Sequence, residues 1–296
     1  MTEAQRTAPE GAVIIPHYND VARLVRCLDA LNRDDLPYPT EIVVVDNAST
    51  EDLAPVRSRH PDIRILIETE RGAAAARNAG VAATTAPRIF LLDCDCVPAP
   101  DWIAVAYEVI EGQDIVGGAM HVFDETAPPR SGAEAFETVF AFDQKSYIEH
   151  KQFAVTANLL TWRHVWDAVG PLRSGLSEDF EWCKRAAAKG YRLVYEPRLA
   201  VGHPSRSDWP ALRKKWLRLT RESYGLTTDA PGRRLRWAAR AVAVFLSPAI
   251  HAWQVMSSPK LAAIERRRGL ATLIRQRSVR AGWMLRQALG SELPDR

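Results

Sequence analysis

Two aspartates directly after a short apolar run are the feature of this sequence most suggestive of chemistry. Apolar residues 89–92 lead into Asp93 and Asp95, and two prolines follow. Such a run, closed by turn residues, is typical of a buried parallel strand, and these strands end at the sheet edge where open α/β folds bind ligands. On a continuing strand both carboxylates face the same way, which favours a site for a hard divalent cation. The alternative is a turn in which the aspartates cap the following helix.

Further apolar runs alternate with helical patterns on both sides of this strand. Strands are predicted at 12–16, 41–46, 63–67, 114–120, 156–162 and 192–196. Helices are predicted at 21–31, 52–59, 72–83, 102–111, 163–169, 177–190 and 209–224, whereas residues 123–152 are predicted to be irregular. The alternation predicts an α/β fold with a mostly parallel sheet flanked by helices. The turn after the first strand contains no glycine, which disfavours a dinucleotide-binding enzyme.

The charge of the chain is divided unevenly along its length. The formal net charge of the 296 residues is +3, but residues 204–296 hold 19 basic and 6 acidic residues, whereas residues 1–203 hold 20 basic and 30 acidic residues. An acidic body followed by a basic segment suggests that the segment meets an anionic partner. No nucleic-acid partner is expected, because no recognisable nucleic-acid module accompanies the basic residues.

The cysteines and the N-terminus favour a cytoplasmic location. The four cysteines are not spaced as a disulfide framework or a zinc site, and a reducing compartment suits them best. The polar residues 1–11 contain no apolar segment of the kind found in signal peptides.

Residues 226–296 are predicted to form a basic, amphipathic helical extension to a domain that spans residues 1–225. The most apolar stretch, 238–256, is interrupted by polar residues and falls short of the roughly 20 apolar residues needed to span a membrane. Arginines together with Trp237, Trp253 and Trp283 suit helices that lie on an anionic membrane face. A helical annex packed on the body and a contact between copies of the chain are equally good interpretations.

Five motifs in chain order resemble glycosyltransferase family 2, which has the GT-A (Rossmann-like) fold. The resemblance covers about residues 11–225. The motifs are Pro16-x-Tyr18-Asn19, the acidic turn that begins at Asp46, the helix from Gly72 to Gly80 with Arg77 and Asn78, Asp93-x-Asp95, and the block from Glu178 through Arg185 to Arg192. Two segments depart from the family pattern, residues 156–158 and 171–175, and both are expected to line the acceptor side.

The resemblance implies a role for each of these residues. Pro16, Tyr18 and Asn19 would form the nucleotide-binding turn for the donor. Asp46 would contact the base or ribose, and Asp93 would contact the ribose or a metal-bound water. The further donor-binding residues would be Arg77, Glu178 and Arg185. Arg77 would add positive charge at the diphosphate, although an ion pair at the core edge is its plainer interpretation. Asp95 and His203 would hold Mn²⁺ or Mg²⁺. Asp179 is the candidate base that takes the proton of the acceptor hydroxyl.

The resemblance also implies an inverting, metal-dependent enzyme. It would move a sugar from a nucleotide-sugar donor, most commonly a UDP-sugar with dTDP-rhamnose and GDP-mannose as further candidates, to a hydroxyl of a saccharide or lipid-linked acceptor. Cell-surface glycan synthesis in the cytoplasm, at the inner face of the membrane, is the expected setting, and a homo-oligomer is compatible with it.

Two other functions fit parts of the sequence. In a haloacid-dehalogenase-like, magnesium-dependent phosphatase, Asp93 and Asp95 would be the nucleophile and the acid. That class usually carries the pair near its N-terminus, whereas three strand-helix units precede it here. A non-catalytic protein that binds nucleotide sugars at a membrane surface is the second alternative, and the joint presence of Asp95, Asp179 and Arg185 argues against it.

Overall fold

The computed structural model of the protein describes residues 8–31, 36–175, 177–227 and 231–294. The described residues form two compact units. We call the first the sheet unit, drawn from residues within 8–121, 143–174 and 178–203. We call the second the helical unit, drawn from residues within 122–142, 175–177 and 204–294.

One eight-stranded mixed sheet organises the sheet unit. Its strands are β1 (Gly11–His17), β2 (Thr40–Asp46), β3 (Arg64–Ile67), β4 (Arg88–Leu92), β5 (Val97–Pro98), β6 (Ile115–Phe123), β7 (Asn158–Trp162) and β8 (Leu193–Pro204), in the spatial order β3-β2-β1-β4-β7-β6-β8-β5. The first four strands pair in parallel, whereas β7 pairs antiparallel with β4 and β6, and β5 pairs antiparallel with β8. The predicted α/β fold class is confirmed, and its parallel part is the half built from β1 to β4.

Seven helices belong to the sheet unit. They are α1 (Val21–Ala30), α2 (Ala54–Arg59), α3 (Ala73–Ala82), α4 (Trp102–Ile110), α6 (Gln144–Lys151), α7 (Arg163–Val169) and α8 (Glu178–Ala188). Each strand of the parallel half is followed by a helix or a tight turn, as the alternating sequence pattern predicts.

Strand register places the ends of the parallel strands together. His17 pairs with Asp46, and Ile14 pairs with Leu91, so β1, β2 and β4 end at the same edge of the sheet. All five residues of β4 are buried, which agrees with the apolar run that predicted this strand. The side chains that follow these three strands are therefore neighbours.

Two glycines allow elements of the sheet unit to approach closely. A Cβ on Gly80 of α3 would lie 2.5 Å from Ile14 Cγ2, and one on Gly118 of β6 would lie 2.1 Å from the backbone oxygen of Leu199. A side chain at Gly118 would therefore overlap the backbone of β8, which a glycine avoids.

Five helices form the helical unit. They are α5 (Gly132–Phe140), α9 (Trp209–Gly225), α10 (Arg233–Leu246), α11 (Pro248–Met256) and α12 (Ala263–Ala288), and α12 contacts the other four. One apolar cluster lies around Phe136 and Leu273, and a second joins Trp237 of α10 to Met284 of α12. Within the described ranges, none of the helices combines the length and the apolar composition needed to cross a membrane.

Three sequence predictions are corrected by these elements. Residues 123–152 are not irregular, since they contain α5 and α6. The strand predicted at 192–196 continues to Pro204, so His203 lies within β8. Trp237 and Trp283 are buried, and of the three tryptophans proposed for a membrane interface only Trp253 is exposed.

Candidate functional site

The acidic residues after β4 lie in a turn rather than on a continuing strand. The strand ends at Leu92, and the backbone N–H of Cys96 donates to the carbonyl oxygen of Asp93 at 3.1 Å. The two carboxylates therefore do not share one direction, which corrects the expectation based on strand alternation. Asp93 contacts Arg77, whereas Asp95 Oδ2 lies 3.4 Å from His203 Nε2.

Arg77 is the buried partner of two carboxylates. It lies on α3 with 3% of its surface exposed, binds Asp93 through Nη2, and donates from Nη1 to Glu178 Oε1 at 3.2 Å. Burial acts to lower the pKa of Arg77, but the charges of Asp93 and Glu178 outweigh it and raise that pKa. These contacts agree with the ion-pair interpretation of Arg77, and its direct contact with a donor diphosphate stays a prediction.

Asp95 and His203 are brought together by the pairing of β5 with β8. Val97 pairs with Gly202, so the residue that follows Gly202 lies beside the acidic turn. A carboxylate oxygen and an imidazole nitrogen at this separation suit Mn²⁺ or Mg²⁺, which take further ligands from phosphates and water. In the described part of the chain no cluster of three or more metal-ligating side chains occurs.

His17 and Asp46 form a buried pair at the ends of β1 and β2. The backbone N–H of Asp20 donates to His17 Nε2 at 3.1 Å, so Nδ1 carries the hydrogen that is donated to Asp46 Oδ1 at 2.9 Å. The N–H of Ser49 donates to the other carboxylate oxygen at 3.2 Å. Asp46 thus fixes the histidine and the following turn, and its contact with a base or ribose stays a prediction.

Asn19 joins the turns that follow β1 and β2. Its backbone has φ 48°, and its Oδ1 accepts from the backbone N–H groups of Thr50 and Glu51 at 2.8 and 3.3 Å. Tyr18 is 56% exposed at the same turn, whereas Pro16 is buried within β1. Of the three residues predicted for the nucleotide-binding turn, Tyr18 has the exposed side chain that can stack on a ligand.

The start of α8 carries the predicted base. Glu178, Asp179 and Glu181 occupy its first turn, where the helix dipole favours negative charge. Glu178 is held by Arg77, and the N–H of Phe180 donates to Asp179 Oδ1 at 2.7 Å. Asp179 is therefore adjacent to a residue that shares an arginine with the acidic turn.

Arg185 of α8 binds the segment between α7 and α8 through hydrogen bonds. Its guanidinium donates to the carbonyl oxygens of Val169 and Pro171 and to Glu181. Asn78 of α3 binds the same loop, because its side chain donates to and accepts from the backbone of Leu172 at 2.9 Å. The donor contact of Arg185 stays a prediction, and its observed contacts are internal.

Asn158 lies inside the sheet. It is fully buried on β7, donates to the carbonyl oxygens of Ala119 and Leu199, and accepts from Trp102 Nε1 at 3.0 Å. Asn158 itself matches the family pattern, and the expectation that residues 156–158 line the acceptor side stays a prediction.

Some of the predicted site residues are joined by hydrogen bonds or ion pairs. Asp93, Arg77 and Glu178 form one group, and Asp95 with His203 forms another. Sequence reasoning missed His17 and Asn47. The position of His17 directly after the β1 apolar run was a signal that could have found it. Asn47 binds the backbone of Glu68, Glu70 and Gly72, and apart from its place in the motif after Asp46 no sequence signal indicates this role.

Comparison with known proteins identifies the family. The family model for glycosyl transferase family 2 matches residues 12–180. Glycosyltransferase AglE of Haloferax volcanii is 32% identical over 222 residues, which cover 71% of this chain and 72% of AglE. The uncharacterized glycosyltransferase YwdF of Bacillus subtilis is 27% identical over 228 residues, which cover 73% of this chain and 84% of YwdF.

A solved structure shares the fold. The mannosyltransferase PcManGT from Pyrobaculum calidifontis, in complex with GDP-Man and Mn²⁺, aligns with a TM-score of 0.56 and 20% identity, covering 96% of this chain and 87% of that one. Neither the matched family nor any of these relatives is a phosphatase. The chain belongs to glycosyltransferase family 2 and is a glycosyltransferase that uses a nucleotide-sugar donor.

Proposed function

We propose that this glycosyltransferase transfers its sugar with inversion to a hydroxyl of a saccharide or lipid-linked acceptor in cell-surface glycan synthesis. The observation that carries this proposal is the Arg77 bridge. One buried guanidinium binds Asp93 in the acidic turn and Glu178 beside the candidate base. The acidic turn and the start of α8 are therefore held in a fixed arrangement, as a displacement between two substrates requires.

The donor side is assigned to the ends of the parallel strands. Tyr18, Asn19 and Asp46 are the proposed contacts of the nucleoside, and Asp93 is the proposed contact of the ribose. A divalent cation held by Asp95 and His203 would stabilise the leaving diphosphate as a Lewis acid. Arg77 holds the Asp93 carboxylate in place through an ion pair. Its positive charge offsets the electrostatic repulsion between Asp93 and Asp95.

The acceptor side is assigned to Asp179. As the acceptor oxygen forms its bond to the anomeric carbon, its proton passes to the Asp179 carboxylate, and the diphosphate departs from the opposite face. The N–H of Phe180 holds Oδ1 of this carboxylate during the transfer. Because a single direct displacement takes place, the anomeric configuration inverts.

The donor and the metal are tested together with the full-length protein. We expect a UDP-sugar to raise the melting temperature in the presence of Mn²⁺, and GDP-mannose is included because PcManGT was solved with GDP-Man. Excess chelator should abolish donor hydrolysis and transfer, and added Mn²⁺ or Mg²⁺ should restore both. Undiminished release of the nucleoside diphosphate in excess chelator would contradict the metal assignment.

The apolar face of α10 and α11 supports an anionic membrane as the partner of the helical unit. Leu235, Val242 and Leu246 recur on one exposed line of α10, and Ile250 and Trp253 of α11 are 78% and 75% exposed. Residues 204–296 carry a net charge of +13, which complements anionic lipid headgroups. An exposed apolar line flanked by arginines is typical of a helix that lies in the membrane interface.

A further inference from the structure

Three polar residues interrupt the buried face of the central helix of the helical unit. Leu273 and Met284 of α12 are fully buried in two separate apolar clusters. Between them, at spacings that keep to the same side of the helix, stand Gln276, Arg277 and Arg280. A helix that needed only to fill a core would carry apolar residues at these positions.

The two arginines share one aromatic neighbour, and the described residues give them no acidic one. The Cζ atoms of Arg280 and Arg277 lie 4.7 and 5.7 Å from the ring centroid of Trp216 on α9. No acidic charge among the described residues shifts the pKa of either arginine, and the other charge acting on Arg280 is the positive charge of Arg240. Burial, followed by the charges of Arg277 and Arg240, lowers the pKa of Arg280 to about 10.

Several hydrogen-bonding groups in this cluster are buried without partners. Within the described ranges, they are Nε of both arginines, Nε1 of Trp216, Nδ1 of His251 and both side-chain polar atoms of Gln276. Buried polar groups in folded proteins are almost always hydrogen-bonded, so a concentration of exceptions calls for a missing partner. Most of these atoms are donors, and the two guanidinium groups are cationic, so the missing partner is an anion.

We propose that Arg277, Arg280 and the groups facing them form a binding site for a terminal phosphate or diphosphate group. Guanidinium groups match phosphate oxygens in pairs, and a phosphate offers more acceptor oxygens than a carboxylate to satisfy the indole and amide donors as well. Both arginines remain partly exposed, so such a group can enter from solvent. All of the residues of this site belong to the helical unit, whereas the proposed donor contacts belong to the sheet unit.

The test measures binding by the full-length protein in excess chelator and without donor, so it does not depend on transfer. Inorganic pyrophosphate is the soluble probe. We expect Arg280→Gln and Arg277→Gln each to weaken pyrophosphate binding by about 10- to 100-fold, the loss expected for one charged hydrogen-bonding partner. Arg267→Gln, an exposed arginine of the same helix, is the matched control and should bind as the wild type does. Unchanged affinity in both cluster variants would overturn the proposal.

A second measurement separates binding from a structural role. Removing one of two like charges should leave the probe-free melting temperature of Arg280→Gln equal to or above that of the wild type. A lower melting temperature combined with undiminished pyrophosphate affinity would assign the arginine to folding and reject the site. If Arg280→Gln does not fold, Arg280→Lys is the second variant. It keeps the positive charge but lacks the planar guanidinium group, and it should still bind pyrophosphate more weakly than the wild type.

Vesicles distinguish a lipid-borne phosphate from a soluble one. Phosphatidylcholine vesicles that contain phosphatidic acid present a terminal phosphate, whereas those that contain phosphatidylglycerol present only a diester. An Arg280-dependent preference for the phosphatidic acid vesicles identifies a lipid headgroup as the source. Arg280-dependent binding of pyrophosphate without that preference identifies a soluble phosphate, and loss of both dependences refutes the site.

Discussion

A single guanidinium group holds two carboxylates, Asp93 and Glu178, that lie 85 residues apart in the chain. Arg77 is almost wholly buried, whereas Asp93 and Glu178 keep part of their surface exposed. Burying a charge costs several kcal/mol unless close partners compensate, and here two acids do so. In this structure Arg77 positions both acids, and its direct contact with a donor diphosphate stays a prediction.

The candidate base gives the first prediction at the residue scale. Asp179→Asn keeps the shape of the side chain and its ability to accept from the Phe180 N–H, but it removes the proton acceptor. We expect donor affinity to be retained while kcat falls by roughly 10²-fold or more. Donor titration by thermal shift and steady-state kinetics measure the two quantities separately.

An exposed aspartate provides the control for this experiment. Asp167 on α7 is exposed, and Asp167→Asn makes the same chemical change away from the site. Its kcat should match the wild type. Weaker donor binding with unchanged kcat in Asp179→Asn would assign Asp179 to donor binding instead of proton transfer.

At the scale of elements, the packing of α3 on the sheet depends on a glycine, which has no side chain to meet the strands. A Cβ at Gly80 would lie 2.5 Å from Ile14 Cγ2 and 3.0 Å from Val45 Cγ2. We expect Gly80→Ala to lower stability, because overpacking a core costs about 1–3 kcal/mol and exceeds the gain in helix propensity. Gly282 of α12 has open space around it, so Gly282→Ala should raise stability by about 0.5–1 kcal/mol. Thermal unfolding of both variants checks the contrast, and equal shifts in one direction would contradict it.

The contact between α5 and α9 contains a buried acid whose charge depends on pH. Glu137 accepts from Lys215 Nζ at 2.5 Å and from the N–H of Arg206 at 2.7 Å. Burial acts to raise the pKa of Glu137, but the charges of Lys215 and Arg206 outweigh it and lower that pKa below its ordinary value of 4.5. The ion pair therefore stabilises the fold fully above that value, and its contribution is lost as the pH falls through the lower folded-state pKa.

Acid titration of stability tests this pair. We expect Glu137→Gln to be less stable than the wild type at neutral pH by roughly 3 kcal/mol, because Lys215 is left buried without its partner. As the pH falls below 4.5 and through the lower folded-state pKa of Glu137, the difference should shrink, since the wild-type acid becomes protonated as well. Urea unfolding at several pH values measures both effects, with the exposed Glu292→Gln as the control. If the stability difference between the wild type and Glu137→Gln instead grows as the pH falls, the ion pair does not stabilise the charged form of Glu137.

The elements that the sequence failed to predict share a physical cause. The helix α6 is short and mixes polar with apolar residues, so no period of 3.6 stands out in it. The strand β8 contains Pro197 and Arg198, which ended the predicted strand early, although its pairing with β5 extends it to Pro204. In both cases tertiary contacts decide the structure, and a local pattern does not contain them.

Across the whole molecule, the site was predictable where it follows regular strands. Asp46 and Asp93 come directly after apolar runs of the parallel half, and their nearness follows from the strand order alone. The partners of these acids were not predictable in the same way. Arg77 reaches Glu178 and His203 reaches Asp95 through contacts between distant segments, and only the folded chain brings them together.

The docking of the helical unit on a membrane is the prediction at this scale. We expect the full-length protein to co-sediment with anionic vesicles at low salt and to be released by salt, because each basic residue near the surface contributes about 1 kcal/mol that salt screens. Replacing Ile250 and Trp253 with serine removes the most exposed apolar groups of α11 and should reduce binding at every salt concentration.

A matched variant in the sheet unit completes this test. Ile67 is 70% exposed on β3, and Ile67→Ser should leave co-sedimentation unchanged. If wild-type protein stays in the supernatant, or if small-angle scattering shows a dimer that the Ile250 and Trp253 replacement separates, the apolar face is a contact between copies and a soluble acceptor is favoured.

The pairing of β5 with β8 also sets an order of events during synthesis. The strands β1 to β4 pair in parallel with one another, so the parallel half of the sheet is complete in sequence once Leu92 has been made. The partner of β5 follows roughly a hundred residues later, which takes about 5–20 s at common translation rates of ~5–20 residues per second. The nascent chain therefore carries Asp95 without His203 for that interval, and the strand that brings the histidine is the last one added to the sheet.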